Sequence, residues 1–312
     1  MHRTRTAASV IAVATAAATV LLVTSCASTA GGGPTSSAAG AGGSAPIGVV
    51  AGENFWGDIA SQIGGDRVTV RSIISDPDAD PHEYESDAAD ASALSTARLV
   101  IENGIGYDDF MATLLSAQPN RDRAVLSVQK ILNVTGSAPN PHIWYDTARI
   151  PTVAHAIEQR LAAISPADAS TFAANEQKFD ASLRPINATI ATIKAKYAGT
   201  KIAYTERVPG YLTTAAGLTL GMPAGFTEAV EQGNEPSPAD NLAFENAIKT
   251  RAVKVLLYNG QVTDEETTRI KQLADSAGVP VVGVTETIPK TDKDYQSWQL
   301  RQAKEILAAL GR

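Results

Sequence analysis

Short runs of β-branched and aliphatic residues alternate with helical patterns along most of this chain, and this alternation limits the folds open to it. In the first half of the chain, extended runs lie at 47–50, 68–74, 99–102 and 124–128, with helical patterns at 55–63 and 107–115. Strands that alternate with helices form parallel sheets covered by helices. The sequence therefore predicts an α/β fold with doubly wound sheets.

The alternation resumes after residue 200, which indicates a second lobe. Extended runs lie there at 201–205, 253–258 and 279–284, and helical patterns at 239–249, 264–277 and 294–310. Residues 46–312 exceed the ~100 to 150 residues of a typical single domain. We predict an N-terminal lobe at 46–164 and a C-terminal lobe at 200–312.

Residues 165–199 are predicted to form one long helix that links the lobes as a spine. Ser165-Pro166-Ala167-Asp168 combines a helix-capping serine, a first-turn proline and an acid, and the same design recurs at residues 237–240. An apolar stripe at helical spacing follows: Phe172, Phe179, Leu183, Ile186, Ile190, Ile193 and Tyr197. Pro185 should kink this helix, and the alternative is two shorter helices broken there.

The N-terminus carries an export pattern. A basic start and an apolar run end at Val23-Thr24-Ser25-Cys26, which predicts a signal peptide at 1–25. Cys26 is the only cysteine, so a disulfide is excluded and lipidation is its expected use. Residues 26–45 are then a flexible Gly, Ser and Ala tether. The protein is expected outside the cytoplasm, anchored to the cell membrane; a plainly cleaved signal and a retained anchor are the alternatives.

The charge balance argues against nucleic acid as a partner. The chain has 26 Lys and Arg against 33 Asp and Glu, a net charge of −7. Removal of residues 1–25 takes away Arg3 and Arg5, so the mature charge becomes 24 − 33 = −9. Nucleic-acid-binding surfaces are basic.

Two of the four histidines follow a proline in similar local contexts. His82 lies in Asp80-Pro81-His82-Glu83-Tyr84, and His142 lies in Asn140-Pro141-His142-Ile143-Trp144. Proline stiffens each turn, and rigidly held neutral imidazoles are what a metal site requires. A single loop histidine is usually only hydrogen-bonded to backbone, but a matched pair favours metal ligation.

Two carboxylates stand where ligands of doubly wound sheets are bound, beyond the carboxyl ends of strands. Glu206 directly follows the run at 201–205, and Glu286 follows the run at 279–284. Asp264 and Glu265 are rival positions. Two imidazoles with two carboxylates suit Mn²⁺ or Fe²⁺ and are also accepted by Zn²⁺, so the donor types leave the metal open.

The two histidine motifs, the segment Gly52-Glu53-Asn54-Phe55-Trp56-Gly57 and the lipobox resemble the cluster A-I zinc and manganese receptors of ABC importers. The resemblance implies two α/β lobes joined by one helix, with one metal ion in the cleft. Carried over, its ligands are His82, His142, Glu206 and Glu286. The fourth position is usually Asp, so Glu286 departs from the family.

This resemblance implies metal capture and delivery to a membrane permease rather than enzymatic activity. We expect a monomer, and we interpret His155 as a surface or packing residue. Two other hypotheses stay open. A metal-dependent hydrolase could use Glu83 as its base, although no helix-borne H-E-x-x-H motif exists. The chain could also be an adhesion or scaffold lipoprotein with a vestigial cleft.

Overall fold

Two four-stranded parallel sheets form the framework of the protein. The structure, a computed structural model, describes residues 45–76 and 84–312. The first sheet has the order β2-β1-β3-β4 and consists of β1 (Ile47–Glu53), β2 (Val68–Ile74), β3 (Leu99–Glu102) and β4 (Ala124–Ser127). The second has the order β6-β5-β7-β8 and consists of β5 (Lys201–Tyr204), β6 (Thr219–Leu220), β7 (Leu256–Asn259) and β8 (Val281–Val284). The predicted α/β fold with two lobes is confirmed.

The two sheets share one connectivity, which locates their binding crevices. In each sheet the second strand pairs on one side of the first strand, and the third strand pairs on the other side. Such a reversal creates a crevice at the carboxyl ends of the two central strands. The crevice of the first lobe lies beyond β1 and β3, and that of the second lobe beyond β5 and β7.

Twelve helices surround the sheets in the described part of the chain. The first lobe contains α1 (Asn54–Gly64), α2 (Ala88–Thr96), α3 (Asp109–Ala117), α4 (Val128–Ile131) and α5 (Ile150–Ile164). α6 (Ala169–Ser182) and α7 (Arg184–Tyr197) follow. The second lobe contains α8 (Gly210–Ala215), α9 (Ala224–Glu231), α10 (Pro238–Lys249), α11 (Glu265–Ala277) and α12 (Tyr295–Leu310). Among these residues, none of the helices has the length and apolarity needed to cross a bilayer.

The spine between the lobes is interrupted for one residue. Leu183 separates α6 from α7 but keeps right-handed helical dihedrals, φ −78° and ψ −16°. The interruption lies two residues before Pro185, which has no N–H to donate to the preceding turn. The predicted stripe is buried at every position except Tyr197, which is partly buried against the same core.

The two Ser-Pro-Ala-Asp segments differ in structure although their sequences are identical. Ser237 caps α10, because its hydroxyl accepts the backbone N–H of Asp240 at 3.1 Å. Each serine also donates to the Asp three residues later at 2.7 Å, but Ser165 caps no backbone N–H in the described structure, and Pro166–Asp168 is a 3₁₀ turn before α6. The second predicted cap is confirmed, whereas the first segment forms a turn.

One hydrophobic core extends through both lobes. It joins apolar side chains of β1 and β3 to those of β5, β7 and β8, and it includes α12 and the spine. Aromatic rings lie at the junction. Phe55 stacks on Trp144 with ring centroids 4.2 Å apart, and Trp298 of α12 lies 6.3 Å from Phe55. All three tryptophans, Trp56, Trp144 and Trp298, are fully buried.

Candidate metal centre

Three of the four predicted ligands are buried near the junction of the two lobes, where His142 faces Glu286 and Asn259 links Glu286 to Glu206. His142 and Glu286 are fully buried, and Glu206 is 1% exposed. His142 lies in the first lobe before α5, Glu206 lies two residues after β5, and Glu286 lies two residues after β8. His82 belongs to the segment between β2 and α2 and lies outside the described residues, as does Cys26.

Hydrogen bonding fixes the tautomer of His142. The side-chain oxygen of Asn140 accepts the backbone N–H of His142 at 3.0 Å and lies 2.7 Å from its Nδ1. Asn140 Nδ2 donates to the Arg207 carbonyl at 2.7 Å, which fixes the orientation of the amide. Nδ1 therefore carries a proton, so in the neutral imidazole the lone pair belongs to Nε2.

That lone pair points into a carboxylate. His142 Nε2 is buried and makes no hydrogen bond within the described part of the chain, and it lies 3.5 Å from Glu286 Oε2. Two electron-rich atoms at this separation repel each other unless a proton or a cation lies between them. The pair thus has the donor chemistry of a metal site.

Asn259, at the end of β7, holds the two carboxylates. Its side-chain amide nitrogen donates to Oε2 of Glu206 and, at 2.7 Å, to Oε1 of Glu286. β7 lies between β5 and β8, so its end lies between the two glutamates. Asn259 was not among the residues predicted from the sequence. The strand-end rule that selected Glu206 and Glu286 could have identified it, because it is the last residue of β7.

Tyr107 approaches the same carboxylate from the first lobe. Its hydroxyl donates to Glu286 Oε2 at 2.8 Å, across the lobe junction. Burial and the negative charge of Glu286 raise the pKa of Tyr107 well above its ordinary value. The phenol therefore stays protonated and acts as a donor.

Buried polar side chains position the loops that carry the site. Asn103, after β3, accepts the indole N–H of Trp56 at 3.2 Å and donates to the Pro141 carbonyl at 3.0 Å, next to His142. The Asp108 carboxylate accepts the N–H groups of Asn103 at 2.6 Å and Gly104 at 2.7 Å. These bonds tie the segment that presents Tyr107 to the segment that presents His142.

The loop after β5 is held in the same manner. Glu231 of α9 accepts the backbone N–H of Arg207 at 2.6 Å and its guanidinium Nε at 2.6 Å. Arg207 directly follows Glu206, so this clamp limits where the Glu206 side chain can reach. The hydroxyl of Tyr211 in turn donates to the Asn140 carbonyl at 3.0 Å, which joins this loop to the His142 loop.

Glu53 is a buried carboxyl that the sequence analysis named only within a motif. It ends β1, is fully buried, and neither of its oxygens has a hydrogen-bond partner in the described part of the chain. Burial, with smaller contributions from Asp108 and Glu102, raises its pKa well above the ordinary value. Glu53 also contributes to the raised pKa of Tyr107, which places it within electrostatic reach of the site.

The rival positions have other structural roles. Asp264 caps α11 by accepting the backbone N–H of Thr267 at 2.6 Å in a capping box, and Glu265 is an exposed first-turn residue of that helix. His155 lies on α5 with its side chain 57% exposed and 3.1 Å from Glu176.

Two lobes built on parallel sheets, with imidazole and carboxylate donors buried near their junction, define a metal-binding protein of the substrate-binding class. The family model described as "ZnuA: Zinc-uptake complex component A periplasmic" matches residues 49–309. The chain belongs to this family. The resemblance predicted from the sequence motifs is confirmed.

Individual relatives cover most of the chain at low identity. The metal ABC transporter substrate-binding lipoprotein ScbA of Streptococcus cristatus is 23% identical over 279 residues, 82% of this chain and 85% of that protein. The manganese ABC transporter substrate-binding lipoprotein scaA of Streptococcus gordonii is 22% identical over 274 residues, which again cover 82% of this chain and 85% of that protein.

Solved structures share the fold. The substrate-binding protein FpvC of P. aeruginosa, in complex with Ni²⁺, has a TM-score of 0.71 at 21% identity and covers 85% of this chain and 97% of that chain. The Mn-bound S38A periplasmic metal-binding protein of Candidatus Liberibacter asiaticus has a TM-score of 0.68 at 20% identity and covers 84% and 98%.

Replacing Asn259 with Asp tests its role as the donor to both glutamates. Asn259→Asp keeps the side-chain shape, removes the donor amide and adds a third carboxyl. We expect the metal-free variant at neutral pH to lose about 1–3 kcal/mol of unfolding free energy, since unpaired acceptors and like charges are costly when buried. Urea denaturation measures the loss. Asn234→Asp adds the same charge at an exposed position and should stay within about 0.5 kcal/mol of wild type. Equal stability of the two variants would contradict this role.

Asp108 makes the stability of the metal-free protein depend on pH. Burial raises the pKa of Asp108 from 3.8 to about 6 despite its two backbone donors. Between these two pKa values the folded chain keeps a proton that the unfolded chain has released. The contribution of Asp108 to the free energy of unfolding is therefore complete below about pH 4 and is lost as the pH rises through about 6. Relative to Asp108→Asn, wild type should lose on the order of 2–3 kcal/mol between acid and neutral pH. Urea denaturation at several pH values measures this loss, and the ¹³C shift of the Asp108 carboxyl measures its pKa. A titration midpoint near pH 4 would contradict the prediction.

Proposed function

We propose that this protein captures one divalent transition metal ion, Zn²⁺ or Mn²⁺, in the cleft between its lobes and delivers it to an ABC importer in the membrane. One observation carries the proposal: the buried Nε2 of His142, in its lone-pair tautomer, faces the Glu286 carboxylate at 3.5 Å without a hydrogen bond. A cation between these atoms turns a repulsive contact into two favourable ones.

The proposed ligands are His82 and His142 from the first lobe and Glu206 and Glu286 from the second. Asn259 engages Oε1 of Glu286, whereas Oε2 is the oxygen that faces His142. Asn259 and Tyr107 therefore orient the carboxylates before the ion arrives, and Asn140 orients the imidazole. Such partners of metal ligands typically contribute 10- to 100-fold in affinity.

The donor set and the relatives support this class of cargo. Imidazole nitrogen with carboxylate oxygen suits Zn²⁺, Mn²⁺ and neighbouring divalent ions. Two relatives of this chain are named as substrate-binding lipoproteins of metal and manganese ABC transporters. We propose the same use for this protein, as a monomer.

The burial of the site supports binding rather than catalysis. His142, Glu206, Glu286 and Asn259 are at most 1% exposed. A hydrolytic metal requires an open coordination position that substrate and water can reach. We therefore propose that the protein is not an enzyme, and that the ion leaves the site unchanged.

We further propose an organisation that keeps the binding protein at the membrane. Residues 1–25 serve as the signal peptide, Cys26 receives the lipid and 26–45 form the tether. The lobes occupy 46–164 and 200–312, with the spine at 165–199. Supporting observations are the sequence pattern around the single cysteine and the lipoprotein relatives.

Cys26→Ser tests the anchor. We expect this variant to leave the membrane fraction and to lose incorporation of labelled fatty acid, because the thiol is the attachment atom. Wild-type protein expressed at the same level in the same host is the control. Equal membrane retention of both proteins would reject lipidation at Cys26.

Calorimetric titration of Zn²⁺ and Mn²⁺ into stripped protein tests the cleft site. Wild type should bind one ion tightly, and His82→Ala and Glu286→Ala should each lose at least about 100-fold in affinity, since each removes a ligand. Elemental analysis of protein purified from its own host then identifies the cargo.

Two variants serve as matched controls. Asp264→Ala removes the rival carboxylate and weakens the cap of α11, yet it should retain the tight ion, and His155→Ala should retain it as well. Loss of binding in Asp264→Ala with retention in Glu286→Ala would reassign the fourth ligand. Full affinity in His82→Ala would reject the proposed set.

A further inference from the structure

A second group of potential metal ligands lies on the pair of helices α5 and α6, which carries none of the proposed cleft ligands. His155 and Glu158 belong to α5, and Glu176 belongs to α6. One donor atom from each residue lies within 4.8 Å of the donors of the other two, and this is the one such group among residues 45–76 and 84–312. We call these three residues the helix-pair site.

Helix geometry explains why the three side chains converge. His155 and Glu158 are three residues apart, so they lie on one face of α5. α5 packs against α6, and Nδ1 of His155 lies 3.1 Å from Oε1 of Glu176. The ligands therefore come from two rigid helices rather than from a loop.

Glu158 has no structural partner that would account for its position. The residue is only 8% exposed, and its side chain makes neither a hydrogen bond nor an ion pair within the described part of the chain. Its two carboxylate oxygens therefore have acceptor capacity that no donor in the described part of the chain uses. Its carboxylate nevertheless points toward His155 and Glu176.

Asp180 adds a further carboxyl next to the site. It lies one helical turn after Glu176 on α6, and its Oδ1 is buried without a hydrogen-bond partner in the described residues. Burial and the negative charge of Glu176 raise the pKa of Asp180, while His155 opposes this. Three carboxyl groups surround one imidazole, so even a protonated histidine would leave an excess of negative charge.

We propose that His155, Glu158 and Glu176 bind a second divalent transition metal ion, with the carboxyl group of Asp180 one helical turn beyond Glu176. One imidazole nitrogen and two carboxylate oxygens form a donor set that Zn²⁺ accepts. The His155 side chain is 57% exposed, so water completes the coordination and binding is weaker than in the buried cleft. The bound ion joins α5 to the first helix of the spine.

The test is a calorimetric titration of Zn²⁺ into protein that already carries one equivalent of Zn²⁺. Wild type should bind a second, weaker equivalent, and this equivalent should persist in Glu286→Ala. His155→Ala and Glu158→Gln should each keep the first equivalent and lose at least tenfold in affinity for the second, because each lacks one ligand. Asp122→Asn removes one exposed carboxylate elsewhere and should keep both equivalents.

Thermal unfolding separates ligand loss from structural damage. Metal-free Glu158→Gln should unfold at the wild-type midpoint or above it, because a buried charge has been removed, and it should lose the upward shift that excess Zn²⁺ gives to wild type. Absence of a second equivalent in wild type at millimolar Zn²⁺ would overturn the proposal. A second equivalent of unchanged affinity in both variants would overturn it too.

Discussion

The contact on which the rest of the structure depends is the aromatic packing of Phe55, Trp144 and Trp298. Phe55 lies in the first turn of α1, Trp144 lies two residues after His142, and Trp298 belongs to α12. Large buried rings contribute both area and defined geometry. Since the packing places the His142 loop against the helix that follows Glu286, the distance between these two ligands is set by the shared core rather than by a flexible hinge.

Hydrogen bonds from neutral side chains explain how the buried carboxylates are tolerated before an ion binds. Glu206 and Glu286 receive hydrogen bonds from Asn259, and Glu286 also receives one from Tyr107. Neutral donors stabilise a carboxylate without satisfying its charge. The site is therefore preorganised and at the same time electrostatically incomplete, which is the condition under which a divalent cation contributes most. Glu53, whose raised pKa favours its protonated form, limits the negative charge that accumulates around the site.

The fold was largely predictable because strand position depends on local composition. β2, β3 and the helix after residue 294 occur within one residue of the predicted bounds. Glu206, Glu286 and His142 could be selected because strand ends and prolines mark them, and the structure buries all three. Asn259, Asn103 and Tyr107 were missed, since an amide or a phenol becomes functional only through the neighbours that the tertiary fold supplies. The Ser-Pro-Ala-Asp pair shows the same limit: identical residues form a helix cap at 237 and a turn at 165, where Asp168 also pairs with Arg67 at 3.2 Å.

Glu286 shows how a departure from a family pattern is accommodated. The family resemblance implies Asp at this position, and Glu carries one more methylene. Here the longer side chain reaches across the lobe junction, where Tyr107 binds Oε2 and Asn259 binds Oε1, so both oxygens have fixed partners. The backbone is restrained as well, because the Gln261 side-chain oxygen accepts the N–H groups of Glu286 and Thr287. The added rotatable bond therefore brings little added freedom, and the carboxylate is held against His142 by contacts from both lobes.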